Sequence, residues 1–146
     1  MRWLTLLLAL SLLAGCDGGD DRSGDEEWEL SGVWELGSDI ECMSALLNDT
    51  QLDMVEVSLA DDFGTFGVEH EGEMGRIYHL QSDFERTVTL SDDMFSYSYE
   101  GTLLDGRGSF EVFGTVQSNN EVEIREEILA ASTNATLTCS YFMRKI

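Results

Sequence analysis

The chain has 146 residues, 42% of them hydrophobic, with 29 Asp and Glu against eight Lys and Arg and a net charge of −21 at pH 7. This length suits one compact domain. Because so negative a surface repels phosphate backbones and anionic headgroups, it argues against nucleic acid as a partner and against membrane binding through surface charge.

The chain begins with the pattern of a secretory signal. Arg2 supplies a positive charge, and Leu4–Leu13 is an apolar run that is too short to span a bilayer. Small residues then precede Cys16. The pattern predicts a signal peptide over residues 1–15. Residues 13–16, Leu-Ala-Gly-Cys, resemble the lipobox of bacterial lipoproteins, and the alternative is an ordinary signal peptide followed by a stray cysteine.

The lipobox resemblance implies a membrane anchor at Cys16. Lipoproteins of this class are cleaved before the cysteine, which receives diacylglycerol by a thioether bond and carries fatty acids such as palmitate. Each buried methylene contributes about 0.8 kcal/mol, so several acyl chains hold a protein where one chain releases it. The expected location is the periplasmic or outer face of a bacterial membrane. Asp17 does not decide between the inner and the outer membrane.

Residues 16–29 are predicted to be the lipidated cysteine and a flexible tether, because the stretch is acidic and rich in glycine. About a dozen such residues reach roughly 20 Å. The folded domain is expected over residues 30–146. With Cys16 lipidated, Cys42 and Cys139 form an even pair, which in an exported domain indicates one structural disulfide. Two free thiols or a metal pair is the alternative.

The folded domain is predicted to be all-β, since apolar and polar residues alternate along short runs between turn residues. The predicted strands are 31–36, 52–59, 63–70, 76–81, 86–91, 94–104, 107–117, 121–129 and 135–143. One short helix is predicted over 38–48, where Ser38 and Glu41 form a capping box.

The strongest hairpin signal is Asp105-Gly106, which favours a type I′ turn. This turn predicts four cross-strand pairs: Phe95 with Val116, Tyr97 with Gly114, Tyr99 with Val112, and Gly101 with Phe110. The next strand continues the same apolar face if Ser118-Asn119-Asn120 is a three-residue loop.

Consecutive hairpins with one apolar face predict an antiparallel up-and-down β-barrel of about eight strands, which removes exposed edges. Gly32-x-Trp34 on the first strand, with a disulfide that reaches the last strand, resembles the lipocalin and calycin pattern. That resemblance implies an interior that holds a small or apolar ligand. An open sheet or a β-sandwich is the alternative fold.

Four residues are candidates for contact with a ligand in the barrel: Trp34, Tyr97, Tyr99 and Glu126. The aromatic residues are more typical of a core than of a binding site. Strict alternation points Glu126 inward, where an unpaired carboxylate is costly. A bulge at Arg125–Glu127 that turns this side chain outward is the favoured interpretation.

His70 and His79 are weak candidates for a metal site. If residues 72–75 turn the hairpin between them, the two imidazoles lie diagonally across one face, and zinc needs a third ligand. The favoured interpretation is two polar residues near the barrel mouth, with no metal and no cofactor.

No nucleophile motif or catalytic triad spacing is evident, so the sequence predicts a non-enzyme. The leading hypothesis is a lipid-anchored binding module for a small or apolar ligand. The alternative is a structural or protein-interaction lipoprotein of the cell envelope. A hydrolase or metal-dependent enzyme is the third hypothesis, and it requires His70, His79 and a carboxylate to converge.

Overall fold

A computed structural model of the chain describes residues 27–80 and 82–146. Its elements in chain order are β1 (Gly32–Leu36), β2 (Glu41–Met43), α1 (Asp49–Phe63), β3 (Thr65–Glu71), β4 (Met74–His79), β5 (Glu85–Thr89), β6 (Met94–Leu103), β7 (Gly106–Ser118), β8 (Glu121–Ala130) and β9 (Ala135–Lys145). The predicted signal peptide, Cys16 and most of the tether lie outside the described residues. Within these ranges no helix has the length and apolar character needed to cross a membrane.

The strands form a nearly closed, antiparallel, up-and-down barrel of eight strands with one helix, as the alternation predicted. The strand order in the sheet is β5-β4-β3-β1-β9-β8-β7-β6, so β1 lies between β3 and β9 and the first and last strands meet. The short β2 pairs with β9 beyond the point where β1 ends. The strands β5 and β6 end the sheet on its two sides, and apart from an isolated Ser91–Met94 bridge no described ladder joins them.

The helix was predicted in the wrong place. Residues 38–48 contain β2 and turns, and the strand predicted over 52–59 lies inside α1. Ser38 does not cap a helix: its hydroxyl accepts a hydrogen bond from the Phe142 N–H at 2.9 Å. Cys42 lies opposite Cys139 in the sheet, where the two form a disulfide. Pairing with β9 therefore overrides the local helix signal.

The capping box that starts α1 is ten residues later. The Asn48 side chain accepts a hydrogen bond from the Gln51 N–H at 2.9 Å, and the Gln51 side chain accepts one from the Asn48 N–H at 3.1 Å. Val55, Leu59 and Phe63 recur every four residues and are buried. The helix was mistaken for a strand because Val55, Val57 and Leu59 also alternate, although Val57 is exposed.

The β6–β7 hairpin turns at Leu104-Asp105, where φ is 49° and 59°, and not at Asp105-Gly106. The observed partners are Phe95 with Gly114, Tyr97 with Val112, Tyr99 with Phe110, and Gly101 with Gly108. All four predicted partners were thus wrong by two residues, while the predicted inner face was right, because a shift of two keeps every side chain on its face. A side chain at Gly114 would collide with the Phe95 ring, so glycine at this position permits the observed register.

The turn between β7 and β8 is Asn119-Asn120, one residue shorter than predicted, and the register shifts between Val116 and Ser118. This irregularity compensates for the one-residue difference in turn length, so the apolar side chains of β8 still point to the predicted face. Alternate residues of β8 are buried from one end to the other: Val122, Ile124, Glu126, Ile128 and Ala130.

One end of the barrel is closed by α1. Phe63, its last residue, points between the strands, with ring centroids 4.6 Å from His79, 5.0 Å from Tyr99 and 5.5 Å from Phe84. We call this the helix end of the barrel.

The opposite end is closed by residues 28–31, which precede β1. The Trp28 indole N–H donates to Asp93 Oδ1 at 2.6 Å, and the Glu29 N–H donates to Asn119 Oδ1 at 2.8 Å. Lys145 Nζ donates to the Glu29 carbonyl at 2.6 Å, and Leu30 is buried. The chain enters the barrel here, so we call this the tether end. Among the described residues, Trp28 and Glu29, which precede the predicted start of the domain, already contact the barrel.

Candidate functional site in the barrel interior

The side chains that point into the barrel form a buried hydrophobic cluster. An apolar cavity of about 30 Å³ lies toward the tether end, lined by Leu30, Trp34, Phe66, His70, Val88 and Phe95 among others. Ligand pockets for small organic molecules measure about 300–1,000 Å³. The described cavity therefore has room for a water molecule or two, and not for a lipid.

Trp34, a predicted ligand contact, is 1% exposed and belongs to the core. Its indole N–H donates to the Leu30 carbonyl at 2.8 Å, and Lys145 Nζ lies 5.8 Å from the ring centroid. Because its one polar atom has a partner within the chain, Trp34 helps to hold the tether-end closure in place. It borders the small cavity.

Glu126 points into the barrel and is 1% exposed, so the favoured prediction of an outward bulge was wrong. The ladder is regular at this position, with Val112 on one side and Cys139 on the other. The hydroxyl of Tyr141 donates to Oε1 at 2.7 Å, and no described residue donates to Oε2. Burial raises the pKa of Glu126 to about 7, and the hydrogen bond from Tyr141 opposes this rise.

Tyr97 and Tyr99, the other two predicted contacts, lie on β6 in the same part of the interior. Burial raises the pKa of both hydroxyls, and the nearby Glu126 carboxylate raises it further. The same two causes, with burial the larger, raise the pKa of Tyr141. Tyr99 stacks on Phe110 with centroids 4.4 Å apart, and its hydroxyl has no partner among the described residues. In the sheet Val112 lies between Tyr97 and Glu126, and the Tyr97 and Tyr99 ring centroids are 6.3 Å apart, so the structure brings Glu126, Tyr97 and Tyr99 together.

Tyr141 is the member of this cluster that sequence reasoning missed. The signal was present, since Leu137, Cys139, Tyr141 and Met143 alternate on β9 and all are buried. Chemically, the cluster offers two unsatisfied groups, Glu126 Oε2 and the Tyr99 hydroxyl, inside an aromatic lining. Such groups can hydrogen-bond a small polar guest or a buried water.

The two histidines do not form a metal site. The β3–β4 turn is Gly72-Glu73, so Phe66 lies opposite His79 and Gly75 lies opposite His70. The imidazoles share the inner face but are separated by four residues along it, roughly 13 Å, whereas two zinc ligands each lie about 2 Å from one ion. The predicted diagonal pairing was wrong for this reason. No group of three His, Cys, Asp or Glu side chains within the described ranges is placed to hold a metal.

Each histidine has its own environment. His79 lies between Phe63 and Phe84 at the helix end, and its Nδ1 is 3.0 Å from the Ser82 hydroxyl oxygen. Burial lowers its pKa, which the Asp62 charge partly offsets. His70 borders the small cavity, and its backbone N–H donates to the Ser31 hydroxyl oxygen at 3.0 Å.

The junction between β5 and β6 is held by a side chain. Arg86 Nε donates to the Ser98 carbonyl at 3.3 Å, while another guanidinium nitrogen donates to the Glu85 carbonyl at 2.7 Å. The guanidinium also lies over the Phe84 ring, 5.0 Å from its centroid. An arginine on the inner face of an edge strand hinders pairing with a foreign strand.

Two of the open grooves on the outer surface lie toward the helix end. One, of about 760 Å³, crosses β7, β8 and β9 beside the loop after β2, where Met43 is 71% exposed. The other, of about 540 Å³, follows the outer side of α1, where Met54 and Val57 are 52% and 61% exposed.

Comparison of the chain with protein families, with curated proteins and with solved structures found no match in any of the three.

Proposed function

We propose that this chain is an exported bacterial lipoprotein, anchored through lipid on Cys16, whose barrel domain acts by contacting another protein of the cell envelope. The observation that carries the proposal is the small size of the described apolar cavity inside the barrel. This cavity measures about 30 Å³ and is lined in part by Leu30, which is buried at the end opposite α1. A carrier of lipids or other bulky apolar ligands needs a pocket at least ten times larger.

The position of the first described contact supports the same proposal. Trp28 is bound to Asp93 at the end of the barrel opposite α1. An anchor at Cys16 would therefore attach the domain on this side and would leave the two grooves near the helix end accessible to a partner.

A second candidate function is supported by Glu126. A buried carboxyl oxygen and a buried tyrosine hydroxyl without partners are the kind of groups that a small polar ligand satisfies. On this alternative the barrel binds a small polar molecule at the Glu126 cluster, and some movement of the β5–β6 junction admits it.

The anchor is tested by labelling the protein in its host with a palmitate analogue and separating membrane from soluble fractions. We expect the wild-type protein to be labelled and to lie in the membrane fraction. The Cys16→Ser protein should be unlabelled and should keep its signal peptide, because it lacks the thiol that receives the lipid. Ser23→Ala in the tether is the matched control and should behave as wild type. Label retained by Cys16→Ser, or wild-type protein that is soluble and unlabelled, would contradict the anchor.

A further inference from the structure

The outer side of α1 combines exposed apolar residues with acidic ones. Met54 and Val57 lie three residues apart and therefore share one side of the helix. They are 52% and 61% exposed, and Asp53, Asp61 and Asp62 flank them along the same groove. We call these five residues the α1 outer face. The outward side of a surface helix is ordinarily polar, so two adjacent exposed apolar side chains are unusual.

The charge of α1 is entirely negative. The helix contains five acidic residues and no Lys, Arg or His. Two of the five have structural roles, because Asp49 lies in the first turn, where a negative charge is favourable, and Glu56 accepts a hydrogen bond from the Cys42 N–H at 2.9 Å. The other three are the aspartates of the α1 outer face.

The placement of these aspartates is unfavourable for the helix itself. Asp61 and Asp62 occupy the last turn, where the helix dipole is negative and a further negative charge is destabilising. The five ion pairs among the described residues all join strand residues, and none involves α1. The negative charge of the α1 outer face is thus uncompensated within the described part of the chain.

We propose that the α1 outer face binds a basic, amphipathic segment of a protein partner, which places apolar side chains on Met54 and Val57 and lysine or arginine side chains beside the three aspartates. This inference rests on the proposed function and names the partner class for it. Charge complementarity and the position of α1 at the end opposite Trp28 both favour such a partner.

The other occupants of such a face fit less well. A second copy of the chain, with its net charge of −21, would set aspartates against aspartates in a symmetric contact. A membrane surface with anionic lipids would repel the same residues. The groove beside Met43 has exposed apolar atoms as well, but its Glu127 is already paired with Arg125 at 2.6 Å.

The test uses the full lipoprotein in mild detergent and a synthetic amphipathic helical peptide of leucine and lysine, with binding followed by calorimetry at low salt. We expect the wild type to bind and Asp53→Asn/Asp61→Asn/Asp62→Asn to bind about tenfold more weakly, since each exposed charge pair contributes a modest free energy. Met54→Ser/Val57→Ser, which leaves the charge unchanged, should also weaken binding. The matched control, Glu71→Gln/Glu73→Gln/Glu123→Gln, removes the same charge near the tether end.

The triple Asn variant has a second readout. Because it removes two charges from the negative end of the helix dipole, its melting temperature should rise by a few degrees while its peptide binding falls. No binding by the wild type, or an equal loss in the matched control, would overturn the inference, because binding would then be absent or would follow net charge alone.

Failure of this inference is separable from failure of the proposed function. A photo-reactive residue is placed at position 57 or at position 43 in the host, and cross-links to other proteins are compared. Cross-links from position 43 and none from position 57 would overturn the α1 outer face but leave an envelope interaction in place. No cross-links from either position would contradict both.

Discussion

Between pH 5 and pH 8 we expect the wild-type domain to lose about 2 to 3 kcal/mol more unfolding free energy than the Glu126→Gln variant does. The expected size follows from the pKa of Glu126, which burial raises from 4.5 to about 7. Urea unfolding of residues 27–146, repeated across this pH range, measures the difference.

The sign follows from proton binding. The folded state holds the Glu126 proton up to about pH 7, whereas the unfolded chain releases it near its ordinary value of 4.5. In this window the folded state binds more protons, so its stability falls as pH rises and levels off above the folded pKa. The glutamine of the variant cannot ionise, and its amide oxygen can still accept the Tyr141 hydrogen bond.

The matched control is Glu123→Gln, which removes an exposed carboxylate from the outer side of the same strand. It should keep the steep wild-type decline, because Glu123 is in water in both states. Equal pH dependence in Glu126→Gln and the wild type would show that Glu126 is not buried as a neutral group.

The second large effect concerns the disulfide between Cys42 and Cys139, which closes a loop with a sequence separation of 97 residues. Cys42→Ala/Cys139→Ala is expected to lower the unfolding free energy by about 4 kcal/mol, because a long closed loop removes much entropy from the unfolded chain. The bond also fixes β2 against β9, beside the helix end.

Urea unfolding of the double alanine variant at pH 6 checks this value, with the wild type in a phosphine reductant as a second measurement. Alanine avoids placing a hydroxyl at Cys139, which is fully buried. The two forms that lack the bond should agree in stability. A loss below about 1 kcal/mol would contradict a stabilising role for this bond.

The barrel was predictable from sequence because the alternation of apolar and polar residues repeats many times along each long strand. On β8, burial alternates without a break, so the inner face followed from Val122 and Ile124 alone. Alternation did not determine the cross-strand partners of β6 and β7, because a shift of two residues keeps every side chain on the same face. In the observed register the Phe95 ring packs against Gly114, where a larger side chain would collide with it.

The helix was not predictable from local pattern, because two capping boxes compete. The box at Ser38 is overridden by the pairing of β2 with β9 and by the disulfide, both of which are long-range. The helix that does form has a narrow buried stripe, and its exposed Val57 imitates a strand residue.

The candidate site was half predictable. Alternation placed Tyr97, Tyr99 and Glu126 on one inner face, and the structure brings them together. An outward bulge was nevertheless predicted, because an unpaired buried carboxylate is costly. The hydrogen bond from Tyr141 on the next strand lowers this cost, and no local pattern around Glu126 indicates it.

Native mass spectrometry of the full-length protein, extracted from its host membranes in mild detergent, tests the lipid anchor and the barrel interior together. We expect one species, cleaved before Cys16, with the added mass of several acyl chains and no small molecule in the barrel. A lipid-free chain would contradict the anchor. A small molecule that copurifies with the wild type and is absent from Glu126→Gln would show that the barrel binds a ligand at Glu126. That result would contradict the proposal that the protein acts through its outer surface.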